Sequence, residues 1–228
     1  MSELSLGGIQ RLLRRLRVHY RRGRRYVHSP DPNYEVKMTA INAALAEARA
    51  DPQRIVFLYE DELTYYRRPT AAFAYEVVGD DGPRANQGQG SNNKRRIAGC
   101  LDAVTGRLIQ WQRSRTGRDV LSRFFLEVAS RYPQAEAIYL AMDNWPVHFH
   151  PDVVAAMEKT KVRLLRLPTY APWTNPIEKV WRCLYGQVLH HHEFRNDWEQ
   201  LKTLVANWLE KWEQDSPELL RYVGLNPG

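Results

Sequence analysis

No stretch of eighteen apolar residues occurs anywhere in this 228-residue chain, which excludes a membrane-spanning helix. The arginine-rich first twenty residues also lack a compact apolar segment ahead of a small-residue cleavage site, so they do not read as a secretory signal. Cysteine is scarce. Cys100 and Cys183 each stand alone, which excludes a cysteine-built zinc module and fits a reducing, cytoplasmic compartment. Acid is missing from one region. Residues 1–25 hold eight arginines and a single acid, Glu3, whereas the rest of the chain balances 25 bases against 25 acids. The net charge of +7 is therefore concentrated in one N-terminal element. Such a block suits phosphate backbones, and equally suits a plain solvated amphipathic helix.

What is present is patterned. A chain of this length buries a sizeable core. Leu6, Ile9, Leu13 and Leu16 recur at helical spacing and predict a basic helix over residues 4–22, with Ser5 as N-cap and Gly23 as stop. The turn-forming "HSPDPNY" follows, and a boundary is placed near residue 30, dividing 1–30 from 31–228. An alanine-rich helix is expected at 35–50. Strands are expected at "RIVFLYED", "AAFAYEVVG", "AEAIYLAMDN" and "KVRLLRLP", and a hairpin turning at Thr105-Gly106 within "RRIAGCLDAVTGRLIQWQR". Helices are expected at about 117–132, 151–160, 176–190 and 196–213. Strands first, then alternating helix and strand, predict a mixed α/β sheet.

Two of the apolar strands run into aspartate: Asp61 after "IVFLYE" and Asp143 after "AIYLAM". Acids there emerge at a sheet edge, where α/β folds gather ligands, although a strand-end aspartate often only caps a turn. A third acid follows in "LPTYAPWTNPIEKVW". Asn175, Pro176 and Glu178 fit a capping-box helix start. Three prolines and two aromatics stiffen the approach beyond what a cap needs, so Glu178 is free to face the strand ends. Three converging carboxylates repel one another unless cations neutralise them. Hard divalent ions do so, and two of them suit in-line displacement at phosphorus. Together with the basic helix, this pattern points to phosphodiester chemistry on nucleic acid.

The pieces "HSPDPNYEVK", "FLYEDE", "IYLAMDNWPVH" and "LPTYAPWTNPIEKVW", with 34 residues between Asp143 and Glu178, resemble DDE transposases of the mariner-like superfamily, in the branch carried by bacterial insertion sequences. The resemblance runs from about residue 5 to 215. It implies a ribonuclease-H-like fold, a mixed five-stranded sheet flanked by helices. Asp61, Asp143 and Glu178 are then the catalytic residues and the ligands of two Mg²⁺ or Mn²⁺ ions. The implied activity is DNA strand cleavage and strand transfer at transposon ends. The implied partners are double-stranded DNA, as terminal inverted repeats and target, with a homodimer as the candidate assembly and the bacterial nucleoid as the setting.

Asn144, His148 and Asn175 match auxiliary polar positions. His148 is read either as orienting a ligand or DNA phosphate, or as a plain surface turn residue. Glu60 and Glu62 flank Asp61, and the family pattern favours Asp61. Arg11, Arg14, Arg15, Arg21, Arg22, Arg24 and Arg25 are the candidate DNA contacts. The run His190–His192 reads as a solvated helix end rather than a metal site. The first 30 residues look like the remnant of a helix-turn-helix region. That makes a truncated product, catalytically inactive and binding only DNA or a partner, the alternative reading, beside another ribonuclease-H-like nuclease. The tryptophan often found after the first aspartate in this family is also missing from residues 76–94.

Overall fold

A computed structural model describes residues 5–18, 28–75, 77 and 82–226. The first helix, α1 (Leu6–Arg15), starts at Ser5, whose hydroxyl accepts a hydrogen bond from Gly8 N at 3.2 Å. It buries none of its residues. The helix ends well before the expected Gly23, because the chain leaves it at Leu16 and Arg17 takes a left-handed φ of 55°. Arg11, Arg14 and Arg15 are exposed on it. Arg21, Arg22, Arg24 and Arg25 lie outside the described residues.

The elements that follow are α2 (Tyr34–Ala50), β1 (Ile55–Tyr66), β2 (Lys94–Asp102), β3 (Leu108–Arg113), α3 (Arg118–Ser130), β4 (Ala137–Met142), α4 (Pro151–Glu158), β5 (Val162–Arg166), α5 (Ile177–Leu184), α6 (Trp198–Glu210) and α7 (Pro217–Val223). The strands form one five-stranded sheet in the order β3-β2-β1-β4-β5. β1, β2 and β3 are an antiparallel meander, and β4 and β5 are added parallel to β1. This is the expected ribonuclease-H-like arrangement. No helix among the described residues is long and apolar enough to cross a membrane.

Each face of the sheet has its own core. Phe57 and Tyr59 of β1 join α2, α5, α6 and α7 on one face, whereas Val56 and Leu58 join α3 and α4 on the other. This is the two-residue period of a strand buried on both sides. Gly106 makes the β2–β3 turn with φ 75°, and a Cβ there would run into the Ser216 carbonyl, so the position needs glycine twice over.

Three expectations about the fold are corrected. No strand forms at 71–75, where Phe73 and Tyr75 are fully exposed. Just ahead of it, Thr70 makes an isolated bridge with His190. The helix expected at 176–190 changes to a wider π turn over Tyr185–Leu189, a common mark of a helix accommodating local demands. His190–His192 are not a solvated helix end. Thr70 Oγ1 and His190 Nδ1 are 2.8 Å apart, His191 Nε2 accepts from Ala72 N at 3.0 Å, and His192 is buried. The short α7, built on a Ser216 N-cap and closed by the left-handed Gly224, was not expected from the periodicity.

Candidate active site

The cleft at the end of the parallel strands begins with β1. Its parallel pairing with β4 runs from Ile55↔Ala137 to Tyr59↔Ala141, and continuing that register sets Asp61 level with Asp143. Asp143 follows the last residue of β4, as expected of a strand-end acid. Asp61 does not end its strand, because β2 goes on pairing with β1 as far as Tyr66. The strand's alternation then separates the three neighbouring acids. Asp61 faces α5, and Glu60 and Glu62 face the opposite layer, so neither glutamate can stand in for Asp61 by proximity.

Glu178 arrives on the first turn of α5. The expected capping box is absent: no side chain caps this helix. Asn175 instead donates from Nδ2 to the carbonyl of Glu60 at 3.0 Å, and its backbone carbonyl accepts from Glu178 N at 3.2 Å. The side chain therefore ties the proline-stiffened loop to β1. Asp61, Asp143 and Glu178 all line one cleft of about 400 Å³, together with Asn144, Trp145, Asn175 and the wall Leu167–Pro172.

That wall is fixed from outside. Asn144 Nδ2 donates to Leu167 O at 2.9 Å. Ser29 Oγ donates to Thr169 O at 2.5 Å, and Asp31, salt-bridged to Lys37 at 2.7 Å, accepts from Thr169 N at 2.8 Å. "HSPDPNY" is thus a brace for the cleft as well as a connector. Tyr170 holds a left-handed φ of 53° and is largely exposed at the rim.

The acids are electrostatically unlike one another. Burial raises Asp61 to about 8, with the charges of Glu178 and Glu62 adding to the rise against the hydrogen bond from Trp181. Burial also raises Glu178, opposed by Arg182 and reinforced by Asp143. Asp143 moves the other way, lowered chiefly by His148. Two of the three acids therefore lack a full counter-charge within the protein, and all offer hard oxygen donors, the chemistry that a magnesium or manganese ion fits.

The contacts of three residues at the site were not read from the sequence. Trp181 Nε1 donates to Asp61 Oδ2 at 2.9 Å, and its ring lies over Gly99, the β2 partner of Asp61. A Cβ at Gly99 would stand 2.7 Å from Trp181 Cη2. Gly99→Ala is expected to lower the unfolding free energy by about 1–3 kcal/mol through overpacking, read from urea denaturation. An unchanged midpoint would show that the ring yields freely. The other two are Glu60 and Glu62, which meet His148 behind the cleft. His148 is fully buried, so it is not a surface turn residue. Its Nε2 lies 3.1 Å from Glu62 Oε1 and 3.5 Å from Glu60 Oε2, and its Nδ1 lies 3.1 Å from Asp143 Oδ1. It lies against protein carboxylates on both sides. The alternation in "YEDEL" was the available signal for this split.

A family model described as the DDE superfamily endonuclease matches residues 56–202, more than half of the chain. The chain belongs to this family. It is 29% identical over 213 residues to the insertion element IS630 uncharacterized 39 kDa protein of Shigella sonnei, covering 91% of this DDE endonuclease chain and 59% of that relative. Among solved structures it is similar to the mariner Mos1 paired end complex with Mg, with TM-score 0.64 and 15% identity over 96% of this chain and 66% of that one. It is similar also to the Mos1 Strand Transfer Complex, with TM-score 0.61 and 16% identity over 96% and 65%. These likenesses establish the ribonuclease-H-like fold. The chain thus spans about 59% of the length of the curated relative.

Proposed function

We propose that this DDE endonuclease chain is the catalytic part of a transposase, cutting DNA at transposon ends and joining the freed ends to target DNA. The observation that carries the reading is the convergence of Asp61, Asp143 and Glu178 on one cleft. Magnesium or manganese, two ions when fully loaded, bound by these three carboxylates supplies Lewis-acid activation of a water or 3′-hydroxyl and neutralises the leaving oxygen.

The chain's own residues do the rest. Trp181 fixes one oxygen of Asp61, Asn175 holds the start of α5 against β1, and Asn144 holds the wall along which a strand can lie. Arg11, Arg14 and Arg15 on α1, with Arg21, Arg22, Arg24 and Arg25 beyond it, suit the phosphates of double-stranded DNA. Residues 1–30 are then a DNA-binding element and 31–228 the catalytic domain, acting at the nucleoid and, as the assembly that pairs two ends, as a homodimer. The similarity to an insertion-element protein and to transposon-end complexes supports this reading.

The test is incubation of the purified chain with duplex DNA carrying the inverted repeats that flank its own gene. Cleavage at the repeat ends is expected with Mg²⁺ or Mn²⁺ and none with excess EDTA. Preferential cutting of RNA–DNA hybrids would reassign the domain to another nuclease. Salt-sensitive binding without cleavage in any divalent metal would make it an inactive DNA-binding remnant.

A further inference from the structure

Behind the cleft, His148 sits at the meeting point of three acids and is wholly shielded from water. Both ring nitrogens face carboxylates: Nε2 is hydrogen-bonded with Glu62 Oε1 at 3.1 Å with Glu60 Oε2 farther off at 3.5 Å, and Nδ1, which makes no well-aligned hydrogen bond among the described residues, has Asp143 Oδ1 at 3.1 Å. Phe125, Trp145 and Phe149 surround the ring edge-on, so it has little room to turn. The donor atoms of Glu60, Glu62 and His148 all lie within 4.8 Å of one another, and the Glu60 oxygens have no hydrogen-bond partner among the described residues. Nε2 is paired with Glu62 Oε1 at 3.1 Å, so the ring is held among protein groups with its Nδ1 edge turned toward Asp143.

What that Nδ1 edge faces is Asp143. The Asp143 side chain is more than half exposed and would otherwise sample several rotamers at the strand end. Its two contacts, from Trp145 N at 2.8 Å and from His148 Nδ1, both fall on Oδ1, which leaves Oδ2 for the cleft. We propose that His148 is a positioning residue, anchored from behind by Glu62, which holds Asp143 on its Oδ1 side and so leaves Oδ2 set toward the cleft as a metal ligand. This rests on the metal-dependent reading of the cleft. Glu62 then acts through His148 from the opposite face of the sheet.

Two substitutions separate the ring's two sides. Asparagine places an amide nitrogen near the Nδ1 position and keeps the grip on Asp143, whereas glutamine reaches toward Nε2 and loses it. Calorimetric titration of the DNA-free full chain with Mn²⁺ is expected to show about 10–100-fold weaker binding for His148→Gln, as for lost supports of metal ligands, and less than about threefold weakening for His148→Asn. Equal weakening in the two variants, or wild-type affinity in a folded His148→Gln, would overturn the proposal. Should glutamine not fold, wild-type protein labelled with ¹⁵N-histidine carries the test. Mg²⁺ is expected to shift the Nδ1 resonance of the His148 ring, and an unmoved resonance at saturating metal would overturn it. Asp143→Ala is the control that separates the two readings. If it binds Mn²⁺ like wild type, the metal reading of the cleft falls; if it loses Mn²⁺ while His148→Gln does not, only the role of His148 falls.

Discussion

Asp143→Ala and Asp61→Ala are each expected to reduce Mg²⁺-dependent cleavage of repeat-end DNA by at least about a thousandfold, since the several kcal/mol supplied by a metal clamp are lost with a ligand. The two positions fail for different reasons. Asp143 is largely exposed and held well on its charged side by His148, so its removal subtracts a carboxylate with little effect on the fold. Asp61 lies between β2 and α5 under Trp181, so Asp61→Asn, which keeps the shape and an acceptor for the indole, is the cleaner variant and should be as inactive as Asp61→Ala. Glu178→Asp retains the charge but draws it back by one methylene. A misplacement of about 1 Å costs on the order of a hundredfold when geometry is limiting, so this variant is expected to keep weak activity that glutamine at 178 does not. Single-turnover cleavage on end-labelled duplex measures all five. Wild-type rates in Asp61→Asn would remove Asp61 from the metal site.

The second large effect is on stability. Any ligand that binds only the native state at about a hundred times its dissociation constant contributes about 2.7 kcal/mol, and saturating Mg²⁺ should raise the urea midpoint at pH 8 accordingly. The gain depends on pH in a direction fixed by the acids. Asp61 titrates near 8 in the fold against 3.8 ordinarily. Its contribution is thus fully present below about pH 4 and is lost as pH rises through 8, because the unfolded chain ionises first. Glu178, also raised, acts with the same sign. Asp143, lowered, acts with the opposite sign: its stabilisation is present above its ordinary value and lost as pH falls through the folded one. The metal-free protein should therefore lose stability from pH 5 to 8, Asp61→Asn should lose less, and Mg²⁺ should restore more at pH 8 than at pH 5, since its ligands must be deprotonated. Identical Mg²⁺ stabilisation of wild type and an Asp61→Asn, Glu178→Gln double variant would refute this account.

Much of the architecture was legible because local signals agreed with global ones. The apolar runs ahead of Asp61 and Asp143 have the length of buried strands, and Thr105-Gly106 carries a turn signal, and both are what the fold contains. The segment 71–75 misled because alternation reports amphipathy, not the presence of a neighbouring strand to pair with. At the site, residue types and spacing singled out three acids that the fold brings to one cleft, but not what holds them. Asn175 carries a perfect capping signature and is used to pin a loop to β1, because the carbonyl of Glu60, 115 residues away in sequence, needs a donor. His148 was ambiguous for the same reason: its partners Glu60 and Glu62 become neighbours only once β4 lies beside β1. Trp181 read as core, and it is core, but its one polar atom reaches the site.

The acids of β1 also make that strand's residue count part of its chemistry. One residue inserted or deleted between Ile55 and Glu60 would turn every later side chain to the opposite layer, exchanging Asp61 for a glutamate in the cleft and burying it among aromatic rings. A two-residue change would restore the facing but displace Asp61 by about 6.6 Å along the strand, out of line with Asp143. The strand therefore tolerates conservative exchange of its apolar residues and no change of length, so related chains are expected to vary in the identity of the residues before Asp61 far more freely than in their number.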